Sequence, residues 1–236
     1  MSVSQLSESA QNYLKAVWVL AEWSDAPVTP TLIAERTGLR LSSVSDAIRK
    51  LTGQGLLHHA PYGAVELTPE GHDFAVAMVR RHRLIESFLV TSLGYGWDQV
   101  HDEAERLEHA VSDFMVDRID EFLGFPSRDP HGDPIPSKSG KISMPDAVQL
   151  TSAETGSEVV VERISDEDPA LLQFFQENGI DLGVRLTVSE GAPFSDSVDV
   201  RVHGADRPLA LGRTATDALY VSLPDSAQQE PHSDGL

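Results

Sequence analysis

Apolar positions recur along this chain at two different periods, and the change between them divides it. Over residues 5–22, Leu6, Ala10, Tyr13, Leu14, Val17 and Leu20 keep a helical spacing with one buried stripe. Thr29-Pro30 offers a capping hydroxyl and a proline suited to a first helical position, and Gly38 closes the short segment 32–37. A third helix is expected from Ser42 as its cap, with Val44, Ile48 and Leu51 at i, i+4 and i+7. Two short helices around a glycine turn predict a helix-turn-helix. Residues 56–60 and 64–68 then flank the turn Pro61-Tyr-Gly63, which predicts a hairpin, or wing. That order of elements predicts a winged-helix DNA-binding domain with helix 42–51 in the major groove.

Thr68-Pro69-Glu70 opens a long helix to about residue 91, ended by Gly94. Residues 97–123 read as one further helix, whose stripe of Val111, Met115, Ile119, Phe122 and Leu123 suits either core or a second subunit. The proline-rich run 126–136 cannot be helical and should be extended, and 137–146 reads as a flexible polar linker. Beyond residue 150 the period falls to two, with strands expected at 158–164, 185–189, 197–202, 208–211 and 218–223 and one helix at 169–177 closed by Gly179. Short strands with Gly and Pro turns predict a small barrel. The fold class is therefore mainly α with a small β domain. The expected divisions are a DNA-binding domain 1–75, a helical domain 76–136, a linker 137–149, a barrel 150–224 and a disordered tail 225–236.

Composition narrows the setting. A length of 236 residues allows two or three small domains. The apolar run at residues 16–21 is far too short to cross a bilayer and follows no basic leader, so a cytoplasmic protein without membrane contact is expected. Zero cysteines exclude disulfides and thiolate metal sites, and suit a reducing compartment. The formal net charge of −19 argues against indiscriminate polyanion binding. Its distribution qualifies that: residues 1–60 carry five basic and five acidic side chains, so any nucleic-acid surface lies there.

The chemistry concentrates in the helical segment. In His101-Asp-Glu-Ala-Glu105-Arg-Leu-Glu108-His109 the positions i, i+4, i+7 and i+8 share one helical face, and His82 and Glu86 pair at i, i+4. Glu and His on a helix are usually a solvated face. Two such pairs on apolar-striped helices resemble instead the facing-helix metal sites. Six nitrogen and oxygen donors suit Mn(II), Fe(II), Co(II) or Zn(II). Asp129 and His131 in the proline-rich run are further candidates, although a lone loop histidine is usually solvated. A metal-dependent hydrolase would also use such donors, but no H-E-x-x-H signature is present and the winged helix would go unexplained. A winged helix answering to an organic ligand, with the His/Glu cluster structural, is a third reading.

Three stretches carry a family likeness: Arg-His82-Arg-Leu-Ile-Glu86, the 101–109 motif, and Asp129-Pro-His131-Gly-Asp-Pro-Ile-Pro136. Together with the helix-turn-helix, the chain resembles the diphtheria toxin repressor family of metal-dependent transcriptional repressors, manganese-responsive branch, over nearly its whole length. The resemblance implies a winged helix, a helical metal and dimerisation domain, a Src-homology-3-like barrel and a homodimer on a palindromic operator. It implies a site of Asn12, Glu105, Glu108 and His109, joined by His82 in manganese-type members. A second site would use Glu86 with His101 and a barrel acid, or with Asp129, His131 and that acid, which aligns as Glu167 with Asp168 beside it. Iron-type members have Cys where this chain has Glu105, so Mn(II) is the expected effector, with Fe(II) the alternative. Asn12 and Lys15 depart from the acids found in some relatives. Arg40, Ser42, Ser43, Asp46, Arg49 and Lys50 are the expected DNA-facing residues, with Asp46 limited to accepting from a cytosine amine.

Overall fold

The computed structural model describes residues 3–60 and 63–224. Part of the expected wing turn and the expected tail lie outside the described residues. Two compact units are present: Met1–Gly96 with Val100–Asp129 and Pro134–Ser143, and Trp97–Gln99 with Pro130–Asp133 and Met144–Leu236.

The first unit opens with α1 (Glu8–Glu22), three residues later than the apolar period suggested, because Ser7 caps it through the Ala10 amide. Helix α2 (Pro30–Thr37) is capped by Thr29 and closed by Gly38, whose φ of 66° allows its amide to turn back on the Ala34 and Glu35 carbonyls. Helix α3 (Leu41–Gly53) corrects one expectation. Its cap position is Arg40, in extended backbone and without a side-chain cap bond, and Ser42 lies inside the first turn. The Val44 amide already bonds the Arg40 carbonyl at 3.1 Å, so the helix starts at Leu41, one residue before the serine. Strands β1 (Leu57–His59) and β2 (Val65–Leu67) pair antiparallel with Leu57 opposite Leu67. Helix α4 (Pro69–Leu93) follows, capped by Thr68. Gly71 is required at its start: a Cβ there would stand 1.9 Å from the Leu56 carbonyl oxygen.

Leu14, Ile33, Val44, Leu51, Leu57 and Met78 meet in one core built from α1 to α4 and the hairpin. Each such side chain contributes about 1.5–3 kcal/mol by leaving water. A second core joins Leu84, Ile85 and Leu89 of α4 to Val100, Ala104, Val116, Ile119 and Ile135. The single helix expected over 97–123 is two, α5 (Val100–Leu107) and α6 (Asp113–Phe122). Past Leu107 the bonding tightens, the Ala110 and Val111 amides both reaching the Leu107 carbonyl, and Ser112 caps a fresh helix through the Met115 amide. Buried Arg81 of α4 fixes the break by donating to the Glu108 and Val111 carbonyls and pairing with Asp113. The apolar stripe divides accordingly. Val116 and Ile119 face the core, whereas Phe114, Met115, Phe122 and, just beyond, Phe125 are exposed. Residues expected to form a flexible linker are anchored within this unit: Ile142 packs on the first core and Lys138 pairs with Asp117 at 2.6 Å.

The second unit is a six-stranded antiparallel sheet in the order β3-β8-β4-β5-β6-β7. Its strands are β3 (Val148–Gln149), β4 (Glu158–Ile164), β5 (Arg185–Glu190), β6 (Val198–Val202), β7 (Leu209–Leu211) and β8 (Leu219–Ser222). Helix α7 (Pro169–Glu177) occupies the expected span. Two elements were not expected from the periodicity, β3 and the short α8 (Arg213–Ala218), which takes the start of the predicted strand 218–223. Phe175, Leu172, Ile164, Ile180 and Leu186 fill the core. The strap 130–133 lies against β4. There the His131 carbonyl accepts from the Ile164 amide, buried Arg163 pairs with Asp133 at 2.7 Å, and a Cβ on Gly132 would stand 2.2 Å from the Glu162 carbonyl.

Candidate metal centre and DNA-facing helix

Within the first unit, α4 packs against both α1 and α5, and Lys15 of α1 reaches Glu105 and Glu108 at the end of α5. His82 of α4 lies between two carboxylates, Nδ1 at 2.6 Å from Glu108 and Nε2 at 3.0 Å from Glu86, one turn along the same helix. Glu86 also faces His101 at 3.4 Å, and His101 reaches Glu105 at 3.8 Å. Donor atoms of His82, Glu105 and Glu108 fall within 4.8 Å of one another, as do those of His82, Glu86 and His101. Asp129 brings a carboxylate within the same distance of Glu86, and also faces Arg83 at 3.6 Å. Glu108 and His109 sit in the turn after α5, so the shared helical face holds for His101 and Glu105 while the turn delivers the other two.

The electrostatics are those of a cation site. Glu108 and Glu86 are almost wholly buried, and Lys15 of α1 places its ammonium 2.6 Å from both Glu105 and Glu108. Burial alone would depress the His82 imidazole, but the Glu86 charge and the hydrogen bonds to Glu108 and Glu86 outweigh it and hold its pKa at about 9. Burial alone would raise Glu108, and His82 and Lys15 together bring it below the usual carboxylate range. Proton and ammonium thus stand where positive charge is wanted.

Two details fit a metal ion. The Asn12 Oδ1 atom is buried with no hydrogen-bond partner, a costly state that ligation would relieve. His109 has its Nδ1 2.8 Å from the Gln11 side-chain oxygen, and the Gln11 amide nitrogen donates to the Val3 and Leu6 carbonyls. Gln11 therefore accepts from His109 Nδ1–H, and the lone pair of Nε2 is left on the Glu108 side, 3.7 Å away. Sequence reasoning missed Gln11. Its place beside Asn12, four residues before Lys15, was the available signal.

The remaining candidates lie in the second unit. His131 is fully buried rather than solvated, its Nε2–H donating to the Trp97 carbonyl at 2.7 Å with the two rings stacked. Asp168 caps α7, accepting from the Ala170 and Leu171 amides, so that carboxylate is already used structurally. Glu167 precedes it in the loop after β4. On α3, Arg40, Ser42, Ser43, Asp46, Arg49 and Lys50 are all exposed. Asp46 pairs with Arg49 at 3.0 Å, which answers its charge within the helix.

Comparison with known proteins agrees with this arrangement. Residues 5–65 match the N-terminal DNA-binding domain of iron-dependent repressors, 68–137 their metal-binding and dimerisation domain, and 148–223 the FeoA domain. The iron-dependent repressor IdeR of Mycobacterium leprae is 33% identical over 199 residues, 79% of this chain and 86% of that protein. The chain belongs to the iron-dependent repressor family. The diphtheria toxin repressor of Corynebacterium glutamicum is 32% identical over the same shares of each chain. Among solved structures, a manganese-dependent transcriptional repressor in complex with manganese is 50% identical with a TM-score of 0.87, covering 91% of this chain and all of that one. ScaR with bound Zn2+ is 30% identical with a TM-score of 0.78, covering 91% and 99%. This protein is thus a metal-dependent DNA-binding transcriptional repressor with an SH3-like β domain of the FeoA kind. Among the described residues no helix is long and apolar enough to cross a membrane.

Proposed function

We propose that the repressor answers to Mn(II) in the cytoplasm and controls genes of metal-ion uptake. The observation that carries this is the donor set: Asn12, His82, Glu105, Glu108 and His109 offer oxygen and nitrogen only, with a carboxylate at position 105. Such a set is hard, and the 50% identity to a manganese-dependent repressor supports the same reading. Bound there, a divalent ion would supply a fixed positive charge joining α1 to the end of α5.

The chain's own residues set the response. Gln11 orients His109, Arg81 holds the turn that carries Glu108, and Asn12 links the centre to the DNA-binding half of the unit. The exposed Phe114, Met115, Phe122 and Phe125 form an apolar face suited to a second copy of the chain. Two α3 helices in such a dimer would read half-sites about 34 Å apart on a palindromic operator. Moving the competent fraction from 1:99 to 99:1 takes about 5.5 kcal/mol of preference for that state.

The test is operator binding at matched metal occupancy, without oxygen, using Mn(II), Fe(II), Zn(II) or chelator, for the parent and Glu105→Cys. The parent should bind DNA only with metal and best with Mn(II), and the variant should move toward Fe(II) or Zn(II). Equal DNA retention in chelator would sink the switch, and identical metal rankings would sink the assignment to manganese.

A further inference from the structure

Among the described residues of the span that matches the DNA-binding domain, 5–65, three large apolar side chains are exposed, and all are leucines around one turn. They are Leu32 of α2, Leu39 in the turn and Leu41, the first residue of α3. Exposed apolar residues scattered singly mean little, whereas a group confined to one turn marks a contact surface. Leu39 and Leu41, exposed by 48% and 49%, flank Arg40 at the start of α3, and the first residues of a recognition helix are those that meet base edges in the major groove. The apolar group that the major groove presents is the C5 methyl of thymine. We propose that Leu39 and Leu41 are specificity-determining residues that read thymine, closing on its methyl group in the operator.

The fold does not account for these two side chains. Ile33, Val44, Ile48 and Leu51 of the same two helices already supply the core, and Leu39 and Leu41 stay about half in water. Other means of gripping DNA are limited on this surface. Asp46 and Arg49 answer each other at 3.0 Å on α3, and residues 1–60 carry five basic against five acidic side chains in a chain of net charge −19. Few basic groups are left to displace counterions from phosphates, so a larger share of the affinity falls to contacts that do not depend on charge. Excluding water between a leucine and a methyl group is such a contact. It also carries sequence information, which a phosphate contact does not.

This inference rests on α3 as the DNA-facing helix, and the experiment separates the two. Duplexes enriched from a random pool by the full-length protein, loaded with Mn(II), Fe(II) or Zn(II), supply the operator. Each thymine in it is then changed in turn to uracil, which removes the methyl group and keeps the base pairing. Affinities are measured by fluorescence anisotropy for the parent, the double variant Leu39→Ala/Leu41→Ala, and Arg40→Ala. At a thymine that the leucines read, the parent should bind the uracil duplex about fourfold more weakly, the worth of burying one methyl group, and about fifteenfold more weakly when both half-sites are changed. The double variant should bind thymine and uracil duplexes alike, with its circular dichroism melt and metal uptake unchanged because both side chains are half exposed. No uracil effect anywhere in the parent, or the same effect persisting in the double variant, overturns the role of the leucines. A double variant that sediments at a lower mass with its base preference intact also overturns it, and makes the patch an interface between copies. Arg40→Ala with unchanged affinity and salt slope takes α3 off the DNA and overturns the reading beneath.

Discussion

Metal-free protein should lose stability as pH rises through the alkaline side of neutrality, and His82 is the reason. Its ring bridges Glu86 and Glu108 and holds its proton up to about pH 9, against an ordinary value of 6.5. The folded form therefore binds this proton more tightly than the unfolded chain, which gives a contribution fully present below 6.5 and lost as pH passes through about 9. At about 1.4 kcal/mol per pH unit the interval is worth about 3 kcal/mol, and full burial of the ring leaves little solvent screening to reduce it. For a unit of this size that corresponds to a fall of about 6–12 °C in melting temperature. Circular dichroism melts at 222 nm, in chelator at fixed ionic strength, would measure it from pH 6 to 9.5, with His82→Gln as reference. The reference removes the background of the other titrating groups, so the difference between the two profiles isolates the ring. Profiles that run parallel across the interval would refute the bridged imidazolium. With Mn(II) present the dependence reverses, since ligation needs the ring without its proton and apparent metal affinity should climb with pH over the same interval.

Two further outcomes test other parts of the molecule. Arg49→Ala should weaken binding to all DNA sequences alike and flatten the salt dependence, because the side chain is exposed on α3 and suits phosphate rather than base contact; an unchanged salt slope in a binding titration would place it off the DNA. Gly71→Ala should cost about 2–3 kcal/mol in thermal or urea unfolding, from a Cβ 1.9 Å from the Leu56 carbonyl, whereas Gly53→Ala at the end of α3, with nothing within 4 Å, should be neutral or mildly stabilising.

Local chemistry made part of this legible in advance. The pairs Thr29-Pro30 and Thr68-Pro69 mark helix starts because a capping oxygen and a proline that needs no amide hydrogen act within four residues, whereas Asp168, expected as a metal ligand, proves to cap α7. The break between α5 and α6 is different in kind. Val111, Met115 and Ile119 continue the apolar period straight across it, and the carbonyls released there are taken by Arg81, some thirty positions away. Helix α8 was invisible because Arg213–Ala218 has no apolar period and Gly212 gives no side-chain cap. At the centre, His82, Glu86, His101 and Glu105 were legible from helical spacing. Gln11 came from α1, ninety-eight residues from the histidine it orients, and spacing says nothing about that.

The same distances bear on how much of the switch can come from assembling the site. The contacts of Lys15 with Glu105 and Glu108, and of Gln11 with His109, tie α1 to the end of α5 through the chain's own residues. What remains unanswered on α1 is Asn12 Oδ1, buried and without a hydrogen-bond partner. Giving that oxygen a partner recovers about 1–3 kcal/mol, well short of the about 5.5 kcal/mol that a complete switch requires. The remainder must come from stronger charge pairing at Glu105, Glu108 and His109 in the DNA-competent arrangement than in the alternative. With Asn12 as a ligand, the metal would direct its response toward the DNA-binding half of the unit, and the carboxylates beside Lys15 would set its strength.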